Sequence, residues 1–225
     1  MGKTVCLPED QAGRSRAVNY RMLTPIILAT WISVCLPQAD PVLAHALVAA
    51  GSEGEPLIVM DADGQKLPGS KAPELVAAMK TTPADKELYV GLVQIPRSSL
   101  KSLGIPDDLA LDPCINLQVG YQLYSAARDF AGTVEKTPKK MLGMSFNYFR
   151  TRQKLVDGPY AQKAVAAVDA PKLVSPAPFG TRLYMGIAAQ AAASNARLMA
   201  LGAIALHQSG GATSRAAVVR LSSLY

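Results

Sequence analysis

Two glutamates in one short segment are the residues whose type and spacing first suggest chemistry. The segment HALVAAGSEGEPLIV, residues 45–59, has a helical pattern as far as Val48 and then carries Glu53 and Glu55 among glycines. A glutamate that is partly desolvated at a cleft wall can donate a proton to a leaving oxygen, as glycoside hydrolysis requires. The same residues also fit a helix end followed by a polar loop with solvated carboxylates. The segment therefore leaves an acid–base site and a plain loop as alternatives.

The composition argues against several other chemistries. The 225 residues include two histidines, three cysteines and no CxxC pair, so the four clustered ligands of a structural zinc are not expected. GSEGEP is not followed by the Lys-Ser/Thr of a phosphate-binding loop. The net charge of +6 suits an anionic polymer or a membrane surface, but no basic cluster with interleaved aromatics supports nucleic-acid binding. We predict no metal and no cofactor.

Helices are the elements that must position these side chains. With 49% hydrophobic and 18% charged residues, the chain is typical of a globular protein rather than a disordered one. Asp40, Ser70 and Asp112 are predicted N-caps, two of them followed directly by proline. The patterns predict helices over 22–35, 41–50, 70–82, 97–105, 112–132, 139–153 and 160–170, with short extended segments within 56–69 and 86–96.

Composition divides the chain into four parts. Residues 1–21 form a basic N-terminal extension, and residues 22–168 carry most of the predicted helices. Residues 169–180 are rich in proline and are predicted to be a linker. Residues 181–225 form an Ala-rich region that is predicted to be helical, since alanine is the best helix former.

Four stretches in chain order share one resemblance. They are HALVAAGSEGEPLIV, VGLVQIPRSSLKSLGI (90–105), DPCINLQVGYQLY (112–124) and GMSFNYF (143–149). Together they resemble the signature motifs of lytic transglycosylases, the goose-lysozyme-like enzymes that cut peptidoglycan. The subgroup they most resemble is the peptidoglycan-opening component of type IV secretion and conjugation machines, and CLP at 35–37 resembles its Cys-x-Pro motif. The resemblance covers 22–168 and implies a mainly α, lysozyme-like domain, α+β with a small β element, and an Ala-rich C-terminal helix outside it.

The resemblance also identifies a position where a catalytic residue is expected. In this family one Glu, directly before the Ser of a Glu-Ser-x-x-x-Pro segment, acts as acid and then as base while the sugar's own 6-hydroxyl attacks. Counting back from Pro56, the Ser is Ser52 and the Glu position is Gly51, which cannot transfer a proton. Glu53 is then the remaining catalytic candidate, although two helical residues further on it would point about 200° away. We therefore expect Glu53 and Glu55 to be solvated loop carboxylates.

Three further residues are implied to contact substrate: Ser52, Gln94 and Asn147. Gln94 carries both a donor and an acceptor, which suits sugar hydroxyl and acetamido groups. The alternative for Gln94 is an amide that stabilises a turn, and Asn116 and Asn147 are by default residues that hold backbone turns.

Other motif positions depart from the family pattern. Pro96 follows Gln-Ile where a polar residue is usual, and Tyr148-Phe149 place bulk after Asn147 where a small residue is expected. Together with Gly51, these departures indicate reduced selection for catalysis.

The cysteines gain a meaning from the resemblance. Cys35 and Cys114 fall where the subgroup has a pair, which implies one disulfide in an oxidising periplasm. The run MLTPIILATWISVCL has signal-peptide length, and PVLA at 41–44 ends like a cleavage site. Cleavage there would remove Cys35 and cut into the active-site helix. We therefore favour 22–35 as a domain helix, or a leader removed upstream of Cys35, which leaves the export route open.

Three functions remain as alternatives. The first is a degenerate lytic-transglycosylase-like protein of the periplasm or cell envelope, with catalysis lost or weakened, that binds peptidoglycan strands or secretion-machine proteins. The second is an active lytic transglycosylase that uses Glu53. The third is a structural assembly protein that acts through its C-terminal helix. We expect no nucleic-acid partner, whereas association with a membrane surface is compatible with the basic charge.

Overall fold

The computed structural model describes residues 4–6, 17–19, 24–170 and 181–208, and within them helices predominate. The helices are α1 Pro25–Cys35, α2 Pro41–Gly51, α3 Ala72–Thr81, α4 Arg97–Ser102, α5 Asp107–Ala110, α6 Pro113–Val134, α7 Pro138–Thr151, α8 Pro159–Asp169 and α9 Thr181–Gln208. The strands are β1 Thr4–Cys6, β2 Ala17–Asn19, β3 Val59–Asp61, β4 Leu88–Val90 and β5 Ile95–Pro96. Residues 171–180, most of the predicted linker, lie outside the described residues.

Two aspartates begin the helices that frame the site. Asp40 Oδ1 accepts hydrogen bonds from backbone N–H groups of α2 at 2.9 and 3.4 Å, and Asp112 Oδ1 does the same for α6 at 3.0 and 3.1 Å. Each aspartate is followed by a proline, whose missing N–H costs nothing at the first helical position. Both predicted N-caps are therefore confirmed.

The predicted cap of α3 is wrong. Its N-cap is Lys71, which makes no side-chain capping bond. Ser70 instead donates its N–H and its hydroxyl to Glu74 Oε2, at 2.8 and 3.2 Å. The carboxylate in the first turn reaches back to satisfy the segment before the helix, so Ser70 is a donor rather than an acceptor.

A small antiparallel sheet forms beside the helices. Its strand order is β3-β4-β5, with Val59 opposite Val90 and Val90 opposite Ile95. Residues 91–94 form the turn between β4 and β5, and both Gly91 and Gln94 have positive φ, at 75° and 55°. A separate antiparallel pair joins β1 to β2. The mainly helical fold with a small β element is thus confirmed.

The core lies around α6, with α7 against it and α2 against α8. Trp31 on α1 is 1% exposed, and Tyr124 on α6 stacks on Phe146 of α7 with ring centroids 4.7 Å apart. Leu28 and Ile32 are buried with Trp31 in the same cluster. Residues 25–35 are therefore a helix of the domain core, as favoured from the sequence.

The position of α9 differs from the prediction of a helix outside the domain. Ile187 and Ala191 belong to the main hydrophobic cluster, and α9 packs against α1 and α6. Ser194 Oγ donates to the α6 cap Asp112 at 2.8 Å, and Gln118 Nε2 donates to Asn195 Oδ1 at 2.7 Å. Composition indicated the helix but could not reveal that one of its faces is apolar enough to be buried.

Hydropathy adds one observation about the helices. Within the described residues, none combines the length and the apolar character that a bilayer span requires.

Candidate functional site

The expected acid position lies at the last residue of α2, tightly packed against a neighbouring turn. A Cβ placed on Gly51 would stand 3.1 Å from each of Gln94 Cγ, Leu92 O and Val93 C. Two of these three atoms belong to the backbone of the β4–β5 turn, so they cannot move aside by a side-chain rotation. A side chain at position 51 would therefore require the backbone of this turn to shift by a small fraction of an ångström.

Ser52 is used inside the loop that ends α2. It is the C-cap residue and is 7% exposed, and its N–H donates to Val48 O at 3.0 Å. Its Oγ accepts from Gly54 N–H at 3.2 Å. These contacts make Ser52 a turn-forming residue, and its contact with substrate stays a prediction.

Glu53 lies beyond the helix end and faces the solvent. It has a positive φ of 56°, and its side chain is 69% exposed. Its carboxylate lies 3.8 Å from Lys163 Nζ on α8. A general acid needs a desolvated setting that raises its pKa, whereas this carboxylate is solvated beside a cation. The expected solvated loop carboxylate is confirmed for Glu53.

The same expectation is wrong for Glu55. Its side chain is only 13% exposed, and Oε2 pairs with Lys66 Nζ at 2.7 Å. Residues 56–59 are buried as the chain enters β3, so the neighbouring Glu55 packs against the protein instead of extending into solvent. The sequence did not predict this pair because Lys66 lies eleven residues further on, where it forms an isolated bridge with Met60.

Gln94 is completely buried within the β4–β5 turn, next to the expected acid position. Its Nε2 donates to Gly91 O at 2.8 Å, which ties the two ends of the turn together. Its Oε1 is also buried and has no hydrogen-bond partner within the described part of the chain. The geometry fits the turn-stabilising alternative for Gln94, and its role as a sugar-binding residue stays a prediction.

Asn116 on α6 fixes the other side of this turn. Its Oδ1 accepts from Val93 N–H at 2.9 Å, and its Nδ2 donates to Val90 O and Ala110 O at 2.9 and 2.8 Å. Gly91 approaches so closely that a Cβ there would lie 2.3 Å from Asn116 Nδ2. The structural role expected of Asn116 is confirmed.

Asn147 holds the end of α7. Its Nδ2 donates to Thr151 Oγ1 and Gln153 O, each at 3.3 Å. A Cβ on Gly158 would lie 2.4 Å from Asn147 Oδ1, so the segment before α8 packs directly on this amide. The buried side chain is therefore engaged in the connection between α7 and α8, and substrate contact stays a prediction.

Two residues that the motifs did not indicate also contact the turn. Arg150 Nη1 donates to Gln94 O at 3.1 Å. Tyr160 on α8 donates its hydroxyl towards Leu47 O and Val93 O, at 3.3 and 3.5 Å, and so links α2 to the turn. Burial raises the pKa of the Tyr160 hydroxyl, so it stays a neutral donor near pH 7. Their contacts join residues 56 to 113 positions apart, which leaves no local pattern to detect.

The predicted disulfide between Cys35 and Cys114 is confirmed. The two sulfurs are 2.09 Å apart and the Cα atoms 5.4 Å apart. Both residues are buried, and the bond joins the end of α1 to the first turn of α6.

The part of the chain that the structure describes contains no candidate metal site. No group of three or more His, Cys, Asp and Glu side chains there is placed to hold an ion.

Comparison of the chain with family models, curated proteins and solved structures found no match.

Proposed function

We propose that this chain is a degenerate lytic-transglycosylase-like protein of the periplasm or cell envelope that binds peptidoglycan strands without cleaving them. In this proposal residues 22–168 form a lysozyme-like domain, and secretion-machine proteins are its further partners. The support from sequence is the order and spacing of the four motif stretches. The support from geometry is a turn that belongs to one of these motifs, is held by Asn116 of another, and packs on the expected acid position.

The observation that carries the loss of catalysis is the glycine at the expected acid position, on which the β4–β5 turn packs tightly. Gln94 and the turn backbone lie 3.1 Å from the place where a Cβ would stand. The nearest alternative acid, Glu53, is 69% exposed and lies 3.8 Å from Lys163. Neither position offers the desolvated carboxylic acid that protonation of a glycosidic oxygen requires.

The disulfide is compatible with the proposed location in the periplasm. A buried Cys35–Cys114 bond is compatible with an oxidising environment such as the periplasm, where disulfides form and persist. A basic net charge of +6 also suits an anionic cell-wall polymer.

The test is an incubation of the oxidised full chain with purified peptidoglycan sacculi. We expect the protein to sediment with the sacculi and to release no anhydromuropeptides detectable by mass spectrometry. Glu53→Gln is expected to sediment as the native chain does, with Glu135→Gln at the end of α6 as the matched control. Robust release that disappears only in Glu53→Gln would establish the active transglycosylase instead.

One observation favours the structural assembly protein as a second candidate. The outward side of α9 exposes Met185 and Met199, which are 60% and 78% accessible. Exposed apolar side chains on a docked helix are available to a protein partner. Failure of the native chain to sediment with sacculi, combined with capture of a secretion-machine protein that is lost in Met199→Glu, would favour this candidate.

A further inference from the structure

Arg150 is held against the turn that packs on the expected acid position. It is half-buried near the end of α7, and its Nη1 donates to Gln94 O at 3.1 Å. Its Cζ lies 3.2 Å from the centroid of the Tyr89 ring and 5.3 Å from that of Tyr160. One carbonyl and two aromatic rings therefore fix the position of the guanidinium.

Most of the hydrogen-bonding capacity of this guanidinium is unused. A guanidinium has five N–H donors, and a single hydrogen bond from Arg150 is found within the described residues. No ion pair between described side chains includes Arg150. The stacking on Tyr89 covers a face of the guanidinium, so the donors along its edge are the groups it can offer to a ligand.

The neighbouring carboxylate of Glu87 attracts Arg150 through space, but the two form no ion pair. Glu87 accepts from the N–H and the hydroxyl of Ser98 at 3.1 and 2.5 Å, and from Leu88 N–H at 3.2 Å. Burial lowers the pKa of Arg150, while Tyr160, Tyr89 and Glu87 oppose that shift. A half-buried cation without a bonded anion is costly, and an external anion at its edge would relieve that cost.

We infer that Arg150 binds a carboxylate, and that the ligand is a stem-peptide carboxylate of a peptidoglycan strand; the identity of the ligand rests on the proposed function. A planar carboxylate accepts two parallel N–H bonds from one guanidinium edge, which gives both strength and orientation. Gln94 O accepts from Arg150, and Gln94 Cγ would lie 3.1 Å from a Cβ on Gly51, so one residue separates the cation from the place where the family has its acid.

The first test measures binding of the full chain to untreated sacculi and to sacculi whose carboxylates have been converted to amides. We expect Arg150→Gln to bind untreated sacculi about tenfold more weakly than the native chain, as loss of a charge-assisted bidentate contact implies. Amidation should weaken the native chain about tenfold more than it weakens Arg150→Gln, whose remaining response measures the general attraction of a basic chain to the carboxylates. Lys140→Gln, at an exposed position of the same helix, is the matched control and should bind as the native chain does. Equal binding of the native chain to amidated and untreated sacculi would overturn the assignment of a stem-peptide carboxylate as the ligand.

The second test needs neither sacculi nor a stable variant. Sodium acetate is titrated into the native full chain, and the Nε–H resonance of each arginine is followed by NMR. We expect a saturable shift of the Arg150 resonance, with Arg128, which is exposed on α6, as the internal control. An Arg150 resonance that moves no more than that of Arg128 would overturn the carboxylate site. A saturable shift in a protein that fails to bind sacculi would contradict the proposed function and leave the site standing.

Discussion

Gly51 and Gly186 are both helical glycines, and their surroundings set opposite expectations for alanine. A Cβ at Gly51 meets three atoms at 3.1 Å, whereas one at Gly186 meets nothing within 4 Å. We expect Gly51→Ala to lower the free energy of unfolding by about 1 kcal/mol, because overpacking outweighs the gain in helix propensity. Gly186→Ala should raise the stability of α9 by up to about 1 kcal/mol.

Urea unfolding of the two variants, followed by circular dichroism, checks this pair. A Gly51→Ala protein as stable as the native chain would mean that the β4–β5 turn yields. The acid position would then accept a side chain, and lost catalysis would rest on the missing carboxylate at Gly51 and on the exposure of Glu53.

At the scale of elements, the first turn of α3 should make stability depend on pH. The hydrogen bond from the Ser70 backbone N–H lowers the pKa of Glu74 from its ordinary value of 4.5, and the Ser70 hydroxyl lowers it further. A depressed folded-state pKa gives stability that is present above the unfolded-state pKa and lost as pH falls through the folded-state value. We expect Glu74→Gln to lower the melting temperature slightly at pH 7, with the difference vanishing as pH is lowered towards 2. Thermal unfolding of both proteins between pH 7 and about pH 2 tests this expectation, with Glu53→Gln as the control. A difference in melting temperature that stays constant over this range would contradict the role of the Ser70 hydrogen bonds.

The disulfide between α1 and α6 closes a long loop. Cys35 and Cys114 are 79 residues apart in sequence, so their bond restricts the unfolded chain strongly. We expect the Cys35→Ala/Cys114→Ala double variant to lose roughly 2–5 kcal/mol of unfolding free energy in urea. Cys6→Ser is the control, since the described bond does not include Cys6. Non-reducing peptide mapping should recover the Cys35–Cys114 pair, and two free thiols at these positions in exported protein would refute it.

At the scale of the whole molecule, α9 should behave as part of the folded body. Ile187 is 1% exposed against the core, while Ala189 is exposed on the same helix. An unpaired aspartate at the buried position would cost several kcal/mol, so we expect Ile187→Asp to detach α9. Hydrogen exchange of amides 184–201 should then accelerate, whereas Ala189→Asp should leave it unchanged. Rapid exchange of these amides already in the native protein would contradict the docking of α9.

Much of the fold was predictable because helix and turn signals are local. Prolines and the caps Asp40 and Asp112 act over a few residues, so α1, α2 and α6 were predicted close to their observed bounds. The extended segment predicted within 86–96 instead folds back on itself as β4 and β5. The disulfide came from the resemblance rather than from local rules. Ser70 was misassigned because a carboxylate four residues later competes for the same segment.

The sequence by itself determined that a glycine stands at the expected acid position, since that follows from counting residues. Only the tertiary structure decided what surrounds it. There, Arg150 and Tyr160 reach the turn at Gln94 from separate helices. In addition, Glu55 pairs with Lys66, and α9 packs on α6. These contacts depend on which faces are buried when distant segments pack together. A periodic pattern identifies an apolar face but does not identify the surface that covers it.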